Sequence, residues 1–225
     1  MAKDRPGAVW GKKHYSIRDV AQYHLDPAPF VVDAVPFLKG NNVKTVLDAG
    51  CGQGRNSLYL KKQGFEIIAV DASKEACELT RQLFLKNGFD ISPINSELQD
   101  ISEVRSGSID AIVCVTVLTH ILDPEIVLKE FHRILKPGGL LIADLANTKD
   151  STYPIISKSG VPLGKNVFLE EGTNVKYFED SEDVEALFHR FKVLSTQEIT
   201  FEEPPHPGSR PYKHSHTSFV ITAQK

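Results

Sequence analysis

The chain has 225 residues, 41% of them hydrophobic and 24% charged, enough for one sizeable α/β domain whose core needs no staples. A net charge of −3 argues against a protein built mainly to coat nucleic acid or an anionic membrane, while leaving room for a local basic patch. Cys51, Cys77 and Cys114 are odd in number and form no CxxC pair, which excludes a disulfide framework and gives no zinc signature. MAKDRPGAVW lacks the apolar stretch of a signal peptide, and no apolar run approaches the ~20 residues that span a bilayer. A soluble, cytoplasmic protein is expected.

In chain order, residues 1–14 are polar and punctuated by Pro6, Gly7 and Gly11. SIRDVAQYH (16–24) and PAPFVVDAVPFLKG (27–40) read as short helices, with Ser16 and Asp26 as caps and Gly40 as a stop. VKTVLDAG (43–50) is an apolar strand, QGRNSLYLKKQG (53–64) a helix ended by Gly64, and FEIIAVDA (65–72) the next strand. Ser73 caps KEACELTRQLFLKNG, whose Ala76, Leu79, Leu83 and Phe84 recur at helical spacing up to Gly88. A shorter strand near DISPINSEL follows. SIDAIVCVTVL (108–118) is too uniformly apolar to have a wet face, as a central parallel strand should be. Asp123 and Pro124 open a helix carrying Ile126, Val127, Phe131, Ile134 and Leu135, and KPGG turns it into the strand LLIADLA (140–146).

Strands alternating with helices imply an open, mostly parallel sheet covered on both faces. FKVLSTQEITF (191–201) and HTSFVITAQK (216–225) have only a Pro/His-rich loop between them, which favours an antiparallel hairpin at one sheet edge. One domain is expected over 1–225: an N-terminal helical cap (1–40), a ligand-binding core (43–146), an insertion (148–178) and a C-terminal helix and hairpin (181–225).

The glycines of DAGCGQG raise a specific question, because Gly50, Gly52 and Gly54 each weaken regular structure. Three ligands suit a strand, a glycine-rich turn and a helix. A P-loop needs GxxxxGK[ST], and its lysine is missing. A dinucleotide turn wants GxGxxG, and Arg55 stands where its third glycine belongs. The third is S-adenosylmethionine, which alternating glycines would let the backbone approach closely. Asp48 at the strand end is then placed to receive the ligand's ammonium. Asp71, about twenty residues on at the end of the next strand, is placed to accept from ribose hydroxyls. The alternative is a tight turn with no ligand.

These residues resemble the class I S-adenosylmethionine-dependent methyltransferases. DAGCGQG matches that family's DxGxGxG signature, VDAS its ribose-binding acid and LKPGG its turn before the fifth strand. Within the family, GCGQGRNSLYLKKQGFEI is most similar to the tellurite-resistance type. The resemblance implies a Rossmann-like fold, a mostly parallel seven-stranded sheet with a C-terminal antiparallel hairpin, and S-adenosyl-L-methionine as cofactor. It implies that Asp48, Gly50, Cys51, Gly52, Gly54, Arg55 and Asn56 line the amino-acid and ribose side. Asp71 would hold the ribose, with Ala72 beside the adenine. Glu97 with the Leu98 amide, or alternatively Asp100, would meet the adenine amino group. Cys114 and Val115 would flank the methionine portion.

Methyl transfer from a sulfonium is an in-line displacement, so the protein mostly aligns its reactants. A thiolate or chalcogen oxyanion needs little more, whereas a hydroxyl or ammonium acceptor must lose a proton. His120 follows the fourth strand at the ligand-binding edge, or simply starts a helix and bonds a neighbouring carbonyl. Trp10 and Tyr15 suit either a lid or ordinary packing. In EEPPHPGSRPYKHSHT (202–217), His214 and His216 are two apart and share a face of an extended chain, with His206 and Arg210 in reach. Only the HxH pair has a defined spacing, so no metal is assigned; the histidines suit an acceptor-binding or acid–base role, or else a plain polar hairpin loop. Arg210 and Lys213 would suit an anionic acceptor. Residues 148–178 are read as a long loop, with Tyr153, Phe168 and Tyr177 either walling an acceptor pocket or anchoring the loop.

The best expectation is methyl transfer to a small-molecule nucleophile by a monomer or homodimer. A tRNA or protein acceptor would call for a basic face, for which Lys12, Lys13, Arg210 and Lys213 are the candidates. A non-catalytic cofactor-binding protein is the third possibility.

Overall fold

The computed structural model describes residues 25–170, 172–203 and 214–225. The expected helix 16–24 and the centre of the 202–217 loop lie outside them. Helix α1 (Pro29–Gly40) leads into β1 (Thr45–Ala49), α2 (Arg55–Lys62), β2 (Glu66–Asp71), α3 (Lys74–Lys86) and the two-residue β3 (Ile94–Asn95). Then come β4 (Ile109–Cys114), α4 (Pro124–Ile134), β5 (Leu135–Ala146), and the insertion with α5 (Tyr153–Ser159), β6 (Val161–Gly164), β7 (Val167–Glu170) and β8 (Thr173–Lys176). Helix α6 (Ser181–Leu187), β9 (Lys192–Glu203) and β10 (His214–Gln224) complete it.

Seven strands form one sheet in the order β3-β2-β1-β4-β5-β10-β9. Neighbours from β3 to β5 run parallel, and β10 runs antiparallel to both β5 and β9. This is the expected Rossmann-like sheet with its edge hairpin. Side chains of alternating parity divide the core into two faces. Leu47, Ile112, Leu141 and Ala143 pack with Val127, Phe131 and Phe188 on one side. Val46, Val113 and Ile142 pack with Phe30, Val35, Leu38 and Leu60 on the other. Burial on both faces is why the central strands read as unbroken apolar runs.

Local chemistry sets the ends of the elements. The Ser73 hydroxyl accepts from the Ala76 amide at 3.1 Å and starts α3, a cap worth about 1 kcal/mol. Asp26 is not a cap: the cap position before α1 is Ala28, whose amide donates to Oδ1 of Asn56 at 2.9 Å. Its stop falls beyond Gly40, at Asn41 and Asn42, the latter at φ 57°. Strand β4 ends four residues before the expected Leu118, because Thr116 turns to φ 58° and gives its amide to the Asp144 carboxylate at 2.5 Å. KPGG is a bulge within β5: Leu135 and Leu140 oppose Ile109 and Ala111, so the residues between them loop out.

The insertion is not a loop. Its strands pair antiparallel as β6-β7-β8, and Ile156, Phe168, Val175 and Tyr177 form a small core of their own with Tyr153 against it. Tyr153 and Tyr177 meet edge to face at 5.1 Å, so these aromatics anchor the insertion. No helix among the described residues is long and apolar enough to cross a membrane.

Candidate functional site

The strand order reverses between β1 and β4, and the glycine turn leaves the carboxyl end of β1 at that switch point, where open α/β sheets bind ligands. Gly50, Gly52 and Gly54 have φ of 76°, 56° and 85°, a region side chains rarely adopt. Two of them also answer to the protein itself. A Cβ on Gly50 would stand 2.3 Å from Cγ2 of Val117, and one on Gly54 would stand 2.9 Å from the Thr80 side chain. Gly52 is held by its backbone: its amide donates to Oδ2 of Asp71 at 2.9 Å, and its carbonyl accepts from the Thr80 hydroxyl at 2.8 Å.

Asp71 therefore stands beside the turn. Its Oδ1 accepts from the Ser73 amide at 2.8 Å. Burial pushes its carboxyl up, the Ser73 and Gly52 amides pull it down and the charge of Glu97 pushes it up again, for a net rise. Each oxygen keeps acceptor capacity beyond its one amide. Glu97 and Ala72 are half-buried next to it, Leu98 is buried, and Asp100 is exposed with its amide on the Glu97 carbonyl at 3.2 Å.

Asp48 lies beneath the turn rather than in it. It is 1% exposed and accepts from the Ser57 hydroxyl at 2.5 Å. Burial raises its carboxyl to about 6 against the pull of Ser57, and Asp71 adds to the rise. Its reach to a bound cation is electrostatic. Arg55 donates to the Asp26 carbonyl at 3.4 Å, and Asn56 holds the start of α1, so both tie down the N-terminal side of the turn. The Cys51, Cys114 and Val115 side chains are buried in the protein, and burial drives both thiols well above their ordinary range.

His120 ends a 3₁₀ turn (Leu118–His120) and gives Nδ1–H to the Asn174 carbonyl at 3.0 Å, while Thr119 donates to the Lys176 carbonyl at 2.5 Å. Both residues dock β8 of the insertion onto the segment after β4, which agrees with the carbonyl-bonded alternative. His214 and His216 do share a face, with ring centres 4.9 Å apart, and Nδ1 of His216 lies 2.9 Å from Oδ2 of Asp150. Tyr15, Trp10, Lys12, Lys13, His206, Arg210 and Lys213 lie outside the described residues.

Two acids escaped the sequence reading. Asp144, in the middle of LLIADLA, is 2% exposed and raised by burial to about 6. An acid inside an apolar strand was its visible signal. Asp150 was signalled by Asp-Ser-Thr, where its carboxylate accepts from the Thr152 amide and hydroxyl.

The turn's acceptors make it a poor home for a pyrophosphate. Asp71, Glu97 and, beneath them, Asp48 place carboxylates around it, suiting a ligand with a diol and positive charge. S-adenosylmethionine fits that set. Residues 47–143 match the family described as Methyltransferase domain. That stretch is a methyltransferase domain.

Among curated relatives, the ubiquinone biosynthesis O-methyltransferase of Xanthomonas axonopodis pv. citri (strain 306) is 29% identical over 110 residues, 49% of this chain and 46% of that protein. The chain thus spans about half the length of the first curated relatives it matches. Two solved structures share the methyltransferase fold. TehB from Haemophilus influenzae aligns with a TM-score of 0.64 and 20% identity over 97% of this chain and 67% of that one. The 1,6-didemethyltoxoflavin-N1-methyltransferase of Burkholderia thailandensis, solved with its substrate and S-adenosylhomocysteine, aligns with a TM-score of 0.65 and 20% identity over 100% and 92%.

Proposed function

We propose that the protein transfers a methyl group from S-adenosylmethionine to a small-molecule nucleophile. One observation carries this: a glycine turn of positive φ at the β1 carboxyl end is bonded through Gly52 to Asp71 at the end of β2. Asp71 would take the ribose hydroxyls and Glu97 the adenine side. The backbone of residues 50–54 would lie along the amino-acid portion, and the residues after β4 would close it from the β5 side. The bound cofactor supplies an electrophilic methyl group, and the chain's work is to hold it in line with an acceptor. Relatives that bear on this act on small molecules by their names, and one holds S-adenosylhomocysteine. The cytoplasm is the matching location, with the insertion beside the acceptor.

Thermal melting tests the proposal. S-adenosylhomocysteine at about 100 times its Kd stabilises by about 2.7 kcal/mol, a rise in Tm of roughly 5–10 °C for a chain this long. NAD at the same concentration should leave Tm unmoved. A rise with NAD alone would reject the cofactor.

A further inference from the structure

Just past β5, Asp150 is 2% exposed and accepts four hydrogen bonds. Oδ1 takes the Thr152 amide at 2.8 Å and the Thr152 hydroxyl at 2.5 Å. Oδ2 takes the Thr217 amide at 3.0 Å and Nδ1 of His216 at 2.9 Å. Burial pushes this carboxyl up, but the bond and charge of His216 and the Thr152 donors outweigh it, and it stays below its ordinary value. An ionised carboxylate can only accept, so Nδ1 of His216 carries the proton and Nε2 is the basic nitrogen.

The position of this pair matters as much as its chemistry. Val220, Ser218 and His216 alternate on one face of β10, and Val220 packs with Val113 and Ile142 beneath the ligand-binding edge. Asp144 of β5 stands in register with Val220 and holds the Thr116 amide, and Val117 beside it covers Gly50. The glycine turn, the Thr116–Val117 corner, Asp144 and His216 thus follow one another along one edge of the sheet, at the carboxyl ends of β1, β4 and β5 and the amino end of the antiparallel β10. Strands lie about 4.8 Å apart, so β10 is roughly 10 Å from β4, with β5 between them. The His216 side chain is 20% exposed. The Phe201 ring lies 5.6 Å from it and the His214 ring 4.9 Å. Asp150 and His214 touch it, and Asp144 feels its charge.

We propose that His216, oriented by Asp150, takes the proton from a hydroxyl on a planar acceptor, a phenol or enol, lying against Phe201. This assignment rests on the methyltransferase function proposed above and narrows its acceptor. The hydroxyl gives its proton to Nε2 as its oxygen bonds the methyl carbon. The carbon–sulfur bond breaks with its electron pair kept by sulfur, and the imidazolium, steadied by the Asp150 carboxylate, returns the proton to water. A thiol would need no such base, because it ionises readily near neutral pH, whereas a phenol ionises near pH 10.

The test uses the full chain, S-adenosylmethionine, and catechol, 4-hydroxybenzoate, thiophenol and dithiothreitol as probe acceptors, reading S-adenosylhomocysteine release. Wild type should methylate a hydroxyl probe, and His216→Gln should lower that rate about 100-fold, in line with the loss of a general base. Asp150→Asn should lower kcat and move the acid limb of the pH profile about one unit down, because the carboxylate no longer raises the imidazole pKa. Histidine NMR on the same proteins gives a readout without turnover. His216 should show an unprotonated Nε2 in wild type and a lower pKa in Asp150→Asn. Turnover of thiols alone, no turnover of any hydroxyl probe, or an undiminished His216→Gln rate overturns the proposal, as does an unprotonated Nδ1. If Asp150→Asn does not fold, the wild-type tautomer and His216→Gln decide. Calorimetry with S-adenosylhomocysteine separates the two claims: wild type failing to bind it defeats the methyltransferase function, whereas equal binding by wild type and His216→Gln leaves only the acceptor chemistry at stake.

Discussion

The Gly52 amide donates to Oδ2 of Asp71 at 2.9 Å, so the turn after β1 and the end of β2 form one unit. That bond fixes the carboxylate where a ribose diol would lie and fixes the turn where backbone can approach the rest of the ligand. Asp71→Ala removes both functions. It should weaken S-adenosylhomocysteine binding by about 10- to 100-fold, the worth of hydrogen bonds to one charged acceptor. Calorimetry measures the loss, and an unchanged circular dichroism spectrum shows that the fold survives. Wild-type affinity in this variant would remove Asp71 from the site.

A second expectation concerns stability rather than binding. Gly50→Ala puts a methyl group at φ 76°, 2.3 Å from Cγ2 of Val117, and Val117 is backed by the buried segment after β4. Strain and overpacking together should cost about 2–4 kcal/mol. Gly64→Ala is the control: its φ is 97°, but nothing lies within 4 Å of the new methyl. It should cost only the backbone penalty of about 1–2 kcal/mol. Urea unfolding of both variants gives the comparison, and equal losses would mean that Val117 yields freely.

The buried acids predict a pH dependence. Asp48 and Asp144 are each raised from 3.8 to about 6, chiefly by burial. A folded pKa above the unfolded one means that the folded state binds more protons between those values. The stability is then fully present below about pH 4 and is lost as pH rises through about 6, by roughly 3 kcal/mol for each acid. Asp48→Asn keeps an acceptor for Ser57 and removes the buried charge. It should raise the urea midpoint at pH 7.5 and leave it little changed near pH 4. A variant less stable than wild type at pH 7.5 would show that the Asp48 charge stabilises the fold.

The order of strands and helices was legible in the sequence because the buried strands are apolar throughout and the helices between them keep a clean period. What could not be read there depends on residues far apart in the chain. The amide of Thr116 ends β4 only because Asp144, 28 residues later, takes it. Cys114 and Val115 look like neighbours at a strand end, but alternation buries one side chain on each face of the sheet. The strands of the insertion are four residues each, and β6 contains both Pro162 and Gly164, so their pattern is too short to stand out. The shared face of His214 and His216 follows from a spacing of two. The partner of His216 does not, because Asp150 comes from a segment 66 residues before it. By spacing alone the glycines make room for a ligand, and the structure adds Val117 and Thr80 as reasons of its own for Gly50 and Gly54.

The most direct measurement is a calorimetric titration of the wild-type chain with S-adenosylmethionine, with S-adenosylhomocysteine and NAD in parallel. Carboxylates around a turn of alternating glycines predict micromolar binding of the first two and none of NAD. Binding of NAD alone would contradict the cofactor assignment and the methyl-transfer function built on it.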